Sequence, residues 1–167
     1  MTVQPISRAD AEALLYREAE LLDEGDWDGW LAMYTADALF WMPAWRDEET
    51  PTADPDRELS LIYYSGRAGL EDRVYRARSG QSVASRPRPR CLHCISNVRV
   101  ISAGAAEAEV ASAFVVHLHD VRAARTHQFF GRYRHTLRLE DGGWRIAAKK
   151  ILLLNDTIPT VVDFYSI

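Results

Sequence analysis

An α+β fold is what this sequence predicts: one curved sheet with helices packed on one of its faces. Three observations carry the expectation. Apolar residues recur at helical spacing only in the first 80 residues, β-type stretches fill the chain from residue 90 onward, and turn signals divide those stretches into a meander of four strands. The length, 167 residues, is that of about one domain. Residues 1–167 are expected to form a single domain, because no repeat, low-complexity stretch or linker composition interrupts them.

Ser7 followed by Asp10 resembles a capping box with Asp in place of Glu, just ahead of Ala11, Leu14, Leu15, Leu21 and Leu22 at helical spacing. Residues 8–24 therefore read as an amphipathic helix, and Gly25 as its stop. Asp26 is the expected cap of a second helix over residues 27–34, in which Trp27, Trp30, Leu31 and Tyr34 fall on one face. That stripe is read first as core and second as a subunit contact. Residues 38–42, ended by Pro43, predict a buried strand, residues 46–56 with Pro51 and Pro55 a loop, and residues 59–64 a second short strand. A third helix is expected over residues 67–78, ended by Gly80, then a loop over 81–89 with two prolines. Four strands follow, over 91–102, 107–121, 124–140 and 143–155. Asp141-Gly142-Gly143 is a strong hairpin signal and Ala123–Ala124 a weaker break.

The chain is 47% hydrophobic and 26% charged, which excludes disordered, collagenous and disulfide-scaffold classes. Ile151-Leu152-Leu153-Leu154, the longest strongly apolar run near the C-terminus, falls far short of the ~20 residues needed to span a bilayer. Residues 1–6 lack a basic stretch and Asp10 and Glu12 follow, so no secretory signal is expected and cytoplasm is the expected compartment. The net charge of −4 gives no reason to expect nucleic-acid binding. Charge is nevertheless segregated. Residues 47–58 carry Asp47, Glu48, Glu49, Asp54, Asp56 and Glu58 against Arg57, whereas residues 73–90 carry Arg73, Arg76, Arg78, Arg86, Arg88 and Arg90 with no acid. Such a basic block could be a phosphate or RNA patch, but it is more often a solvated face or a docking surface for an acidic partner, and the 47–58 segment is a candidate for that partner, within the chain or between copies.

Little else in the sequence points to chemistry. Cys91 and Cys94 form one C-x-x-C, but it opens a strand instead of a helix, and its spacing puts the two thiols on opposite faces. That arrangement counts against a redox pair, and against a zinc site completed by His117 and His119. Two buried or half-buried thiols are the simplest reading. An interior histidine with Asp37 or Asp120 could act as an acid–base pair, although no spacing fixes one. G-x-G-x-x-G, P-loop, H-E-x-x-H and G-x-S-x-G patterns are absent, and two cysteines cannot supply the C-x-H and C-x-x-H pairs of a Rieske centre.

Several segments, taken in order, are similar to the small (beta) subunits of aromatic-ring-hydroxylating dioxygenases. They are the opening helix with Tyr16, Glu18, Leu21 and Leu22, then Trp27, Trp30 and Tyr34; Leu70-Glu71-Asp72-Arg73-Val74-Tyr75-Arg76; Arg90-x-x-His93-x-x-Ser96-Asn97; Phe130-Gly131-Arg132-Tyr133-Arg134-His135; and Gly143-Trp144-Arg145-Ile146 with Lys149-Lys150 and Leu154-Asn155-Asp156. Cys91 and Cys94 depart from the pattern. The resemblance implies the cone-like fold of nuclear transport factor 2 and ketosteroid isomerase, with about six strands in a strongly curved mixed sheet and three helices. It also implies a cofactor-free trimeric platform within a complex of three large and three small chains. The large chain would carry the Rieske [2Fe-2S] cluster and a mononuclear iron, and would perform cis-dihydroxylation with electrons from NAD(P)H delivered by a reductase and ferredoxin. No residue of this chain is then expected to be catalytic, cofactor-binding or metal-binding. Asp72, Arg73, Tyr75, Arg76, Arg90, His93, Asn97, Tyr133, His135, Asn155 and Asp156 are the expected subunit-contact or strand-end-ordering residues. The alternatives are a stand-alone cone-fold isomerase, dehydratase or hydrolase with an internal His/Asp pair, or a small-ligand binding module.

Overall fold

Ser7 and Gly25 bracket the first helix, α1 (Arg8–Glu24), as the sequence predicts. In the computed structural model, which describes residues 4–82, 85–159 and 161–167, the Ser7 hydroxyl accepts from the Asp10 amide, and Gly25 takes the left-handed conformation while its amide donates to Leu21 and Leu22. The expected leader-free opening and the middle of the 81–89 loop lie partly outside the described residues. Asp26 caps α2 (Trp27–Ala32) by accepting from Gly29.

α2 is shorter than its aromatic stripe predicts. Tyr34 keeps the helical spacing of Trp27 and Trp30, yet it opens β1 (Tyr34–Pro43) as the backbone partner of Ile146. That strand is twice the predicted length because Tyr34, at its start, pairs with Ile146, more than a hundred positions away. β2 (Ser60–Ser65) and α3 (Ala68–Ser79) follow, α3 ending at a left-handed Gly80. The four long strands are β3 (Arg90–Ala103), β4 (Glu107–Asp120), β5 (Arg125–Glu140) and β6 (Gly143–Leu153). Positive φ angles at both Asp141 and Gly142 make the last connection the tight turn that the Asp-Gly pair predicts.

One six-stranded sheet runs β2-β1-β6-β5-β4-β3. It is antiparallel except where β1 lies parallel to β6, and it stays open, with β2 and β3 as edges. Asn97, at φ 54°, sits where the β3–β4 register shifts, a bulge that bends the edge strand. α1 packs on the inward face, placing Ala11, Leu15, Glu18 and Leu22 against a layer that includes Phe114, Phe129, Leu137, Ile151 and Leu153.

A further element closes the core. Asp163 caps a 3₁₀ turn, Phe164–Ser166, that follows the last strand. Phe164 stacks on Trp30 at 5.0 Å and meets Trp27 edge-on at 5.3 Å, and Tyr165 stacks on Trp27 at 6.0 Å. The tryptophan stripe of α2 is thus core, covered by the chain's own C-terminal segment. Among the described residues no helix is long and apolar enough to cross a membrane.

Candidate functional site

Glu18 occupies the apolar stripe of α1 and is only 3% exposed. A carboxylate there requires partners, and the sheet supplies them. Lys149 of β6 and His135 of β5 are backbone partners on the inward face. Lys149 Nζ donates to Glu18 Oε1 at 2.9 Å, and His135 Nε2 lies 3.2 Å from Oε2. The Tyr34 hydroxyl donates to Oε1 at 2.5 Å, with the Trp30 indole N–H at 3.4 Å. Lys149 Nζ also lies 4.2 Å from the Tyr133 ring centroid. Burial drives the Glu18 carboxyl upward, but the Lys149 ammonium, His135 and Tyr34 outweigh it and hold the group well below the ordinary carboxylate range. Burial lowers His135, outweighing the carboxylate beside it, so the imidazole is neutral, with Nε2–H donating to Glu18. Burial likewise raises the Tyr34 and Tyr133 hydroxyls well above their usual value.

This cluster contains the groups an acid–base enzyme would use, in an arrangement that opposes such use. The carboxylate is neutralised by its lysine. Neither Glu18, His135 nor Lys149 lines the cleft of about 860 Å³ bordered by Ser112 and Tyr133, or the groove of about 420 Å³ between α1 and β3. Tyr133 stacks on Phe114 at 4.0 Å, which fills the interior beside the cluster.

A second histidine fastens α1 to the edge strand. His93 Nδ1 lies 2.6 Å from Asp23 Oδ1, and the His93 amide donates to Oδ2 at 3.0 Å. The acidic partners of the buried histidines are therefore Asp23 and Glu18, not the predicted Asp37 or Asp120. Asp37 instead accepts from Arg138 and Thr35 at the surface, and Asp120 accepts from the Arg122 and Ala123 amides in a turn.

Cys91 is half-buried, and burial together with Asp23 pushes its thiol up to about 12, so it is not a poised nucleophile. Cys94 is exposed, correcting the expectation that both thiols are at least half-buried, because the strand alternation turns it to the outer face. His117 and His119 face Gln128 and Thr126 instead of the cysteines. Among the described residues no group of three or more His, Cys, Asp or Glu side chains is placed to hold a metal. The donor set of this chain does not fit a Rieske cluster.

The outer sheet face is different in character. Arg99, Arg132, Arg134 and Lys150 line the 860 Å³ cleft, with Ala111 and Ala113 among them, and Arg8 of α1, paired with Glu12 at 2.8 Å, borders it. The cleft thus brings together cations from three strands, β3, β5 and β6, around the alanines of β4.

Residues 17–160 match the family described as ring hydroxylating beta subunit. The chain belongs to this family. It is 42% identical over 167 residues, all of both chains, to the small subunit of 2-halobenzoate 1,2-dioxygenase from Burkholderia cepacia. It is 40% identical over 162 residues to toluate 1,2-dioxygenase subunit beta from Pseudomonas putida, covering 97% of this chain and 99% of that one. The solved beta subunit of benzoate 1,2-dioxygenase from Burkholderia mallei superposes with a TM-score of 0.80 at 36% identity, covering 98% of this chain and 99% of that one. The cone-like α+β fold expected from the resemblance is thereby established.

The residues expected to mark contacts do not converge on one site in this beta subunit. His93, Tyr133 and His135 are interior. Asp72, Tyr75 and Arg76 lie on the solvent side of α3, with Tyr75 75% exposed, whereas Arg73 on the same helix bonds Asp163 at 2.7 Å and fastens the C-terminal turn. Arg90 is exposed at the start of β3, and Asn97 occupies its bulge. Asn155 accepts from the Phe130 amide at 2.9 Å and donates to Gln128 O at 2.7 Å, and Asp156 beside it is exposed. Among the described residues, no ion pair joins the acidic loop to the basic block within the chain. Arg78 pairs with Asp28, while in the loop Glu58 pairs with Arg46 and Asp54 with Arg57.

The buried cluster makes acid stability measurable. The His135 value is depressed below 6.5, so its contribution is fully present above pH 6.5 and is lost as pH falls through the folded value. That of Glu18, depressed from 4.5, is present above pH 4.5 and is lost below it. Both act in one direction. The urea midpoint of the beta subunit is expected to fall from pH 6.5 downward, and His135→Gln to flatten the first part of that fall. A wild-type midpoint that does not move between pH 7.5 and about 5 would contradict this.

Proposed function

We propose that this chain is the structural small subunit of a multicomponent aromatic-ring-hydroxylating dioxygenase. It acts as a single domain over residues 1–167, in the cytoplasm, and forms a trimeric platform for three large chains. The large chain carries the Rieske [2Fe-2S] cluster and the mononuclear iron, and it receives electrons from NAD(P)H by way of a reductase and ferredoxin. The complex is an oxidoreductase that inserts both atoms of dioxygen into an aromatic compound at the start of its catabolism. Relatives named for 2-halobenzoate and toluate favour an aromatic carboxylate as that compound.

The observation that carries this reading is the match to the beta-subunit family along 144 positions, 17 to 160. Beside it, the Glu18–His135–Lys149 cluster lies outside both clefts, and the His93–Asp23 pair, which borders the groove between α1 and β3, leaves the His93 side chain only 1% exposed. A stand-alone isomerase would need its carboxylate or imidazole facing a cavity that admits substrate. In the proposed platform, Asp72, Tyr75, Arg76, Arg90 and Asp156 are exposed for subunit contact, and Arg73, His93, Asn97, Tyr133, His135 and Asn155 order the elements behind them.

Co-expression with a Rieske-type large chain tests the proposal. A stable heteromer is expected that consumes dioxygen with an aromatic acid, while the small chain alone turns over nothing and copurifies with no stoichiometric metal. Chains that ignore one another at micromolar concentration, or turnover by the isolated small chain, would refute it.

A further inference from the structure

We propose that the cationic cleft on the outer sheet face receives the acidic β1–β2 loop of a second copy of this chain, and that this head-to-tail contact closes the trimer; the inference rests on the self-association proposed above.

Charge accounting among the described residues supports the pairing. Arg99 and Arg132 make no ion pair. Lys150 has only the Trp41 ring beneath it, at 4.3 Å, and Arg134 reaches Glu109 at 3.8 Å with both side chains about half exposed. Burial and Arg134 together lower Lys150, the direction expected of cations crowded without a counter-charge. The alanines at 111 and 113 leave the cleft open between these groups, about 860 Å³ in volume. Such a surface is adapted to carboxylates, which arginine binds with directed N–H donors.

The complementary surface is on the same chain. Asp47, Glu48, Glu49 and Asp56 have no ion pair, and the segment that bears them is held in shape from within. Glu58 accepts from the Ala53 and Asp54 amides at 2.6 and 2.8 Å, and these bonds together with Arg46 hold its carboxyl at about 2. Asp47 accepts from the Glu49 and Thr50 amides, Thr52 donates to Leu59 O, and Trp45 donates to Leu153 O. A preformed loop loses little conformational entropy on docking. Among the described residues, four carboxylates without an ion pair thus stand against Arg99, Arg132 and Lys150, which have none either, and no ion pair joins the loop to the cleft within one chain. Because loop and cleft are different surfaces, the contact is heterologous, and a heterologous contact that closes on itself produces a ring.

The test uses the full chain in sedimentation or light-scattering measurements. Glu48→Lys with Glu49→Lys, and separately Arg132→Glu with Arg134→Glu, are each expected to raise the concentration of half-assembly at least about tenfold, and to remove its salt sensitivity. Combining all four changes should restore assembly, with circular dichroism verifying that each variant is folded. Reversed variants that assemble at the wild-type concentration overturn the contact and leave the trimer standing. A four-fold variant no stronger than its parents also overturns the contact. Reversed cleft variants that still form trimers but no longer capture the large chain assign the cleft to that chain instead. A wild-type chain that stays monomeric across the micromolar range overturns both the contact and the self-association it rests on.

Discussion

Lys149→Met is expected to destabilise this protein by about 3–5 kcal/mol, because it strands the Glu18 carboxylate in an interior where, among the described residues, no other lysine or arginine pairs with it. For a chain of this size that corresponds to a melting temperature lower by on the order of 10 °C. Methionine matches the lysine stem in length and apolar character, so little of the loss comes from packing. Glu18→Gln should act in the same direction by leaving the ammonium unpaired. The decisive measurement is the double variant Glu18→Leu with Lys149→Met. Removing both charges removes the penalty that either single change exposes, so the double variant should be more stable than Lys149→Met alone. Recovery will be incomplete, because Tyr34, Trp30 and His135 all lose their acceptor. A urea midpoint for Lys149→Met equal to wild type would show that the ammonium is not what keeps Glu18 ionised.

Elements fixed by neighbouring residues could be read from the sequence, and those fixed across the sheet could not. α1 was legible because its cap, its stripe and its glycine stop are all local. The Asp141-Gly142 turn was legible for the same reason. The start of β1 was not, since the aromatic spacing through Tyr34 is that of a helix and only the distant Ile146 makes it a strand. The C-terminal 3₁₀ turn has no periodicity of its own and is held by Arg73, ninety positions earlier. The ionic cluster left two faint signals: a glutamate inside an apolar helical stripe, and a lysine in step with Ile151 and Leu153 on an alternating strand. Neither identifies its partner, because Glu18 and Lys149 are 131 positions apart and meet only when the sheet is assembled. Charge segregation was visible in the sequence, but the partners of Arg73 and Arg78 proved to be Asp163 and Asp28.

Gly131→Ala should be the more damaging of two superficially equal changes, and the comparison with Gly142→Ala isolates the cause. Gly131 lies in the middle of β5, within the Phe130-Gly131-Arg132-Tyr133 segment that carries part of the family resemblance. A Cβ there would lie well inside 3.0 Å of Leu152 O on the neighbouring β6 backbone, and 3.0 Å from the Phe114 ring. Neither obstacle is the free end of a flexible side chain. Leu152 O belongs to the backbone of β6, and Phe114 is held by its stack on Tyr133. The methyl group therefore has to push two central strands apart, which is expected to cost about 3 kcal/mol, the upper part of the range for overpacked cores. At Gly142 the obstacle is reversed. Nothing stands within 4 Å of an added Cβ, but φ is +81°, so alanine there meets only the left-handed backbone penalty of about 1–2 kcal/mol. Thermal melts of the two variants should show Gly131→Ala lower by several degrees. Amide exchange should show its loss of protection centred on the β5–β6 ladder, with Gly142→Ala confined to the turn. Equal melting temperatures, or exchange centred elsewhere, would mean that the two strands have room for a side chain at this point.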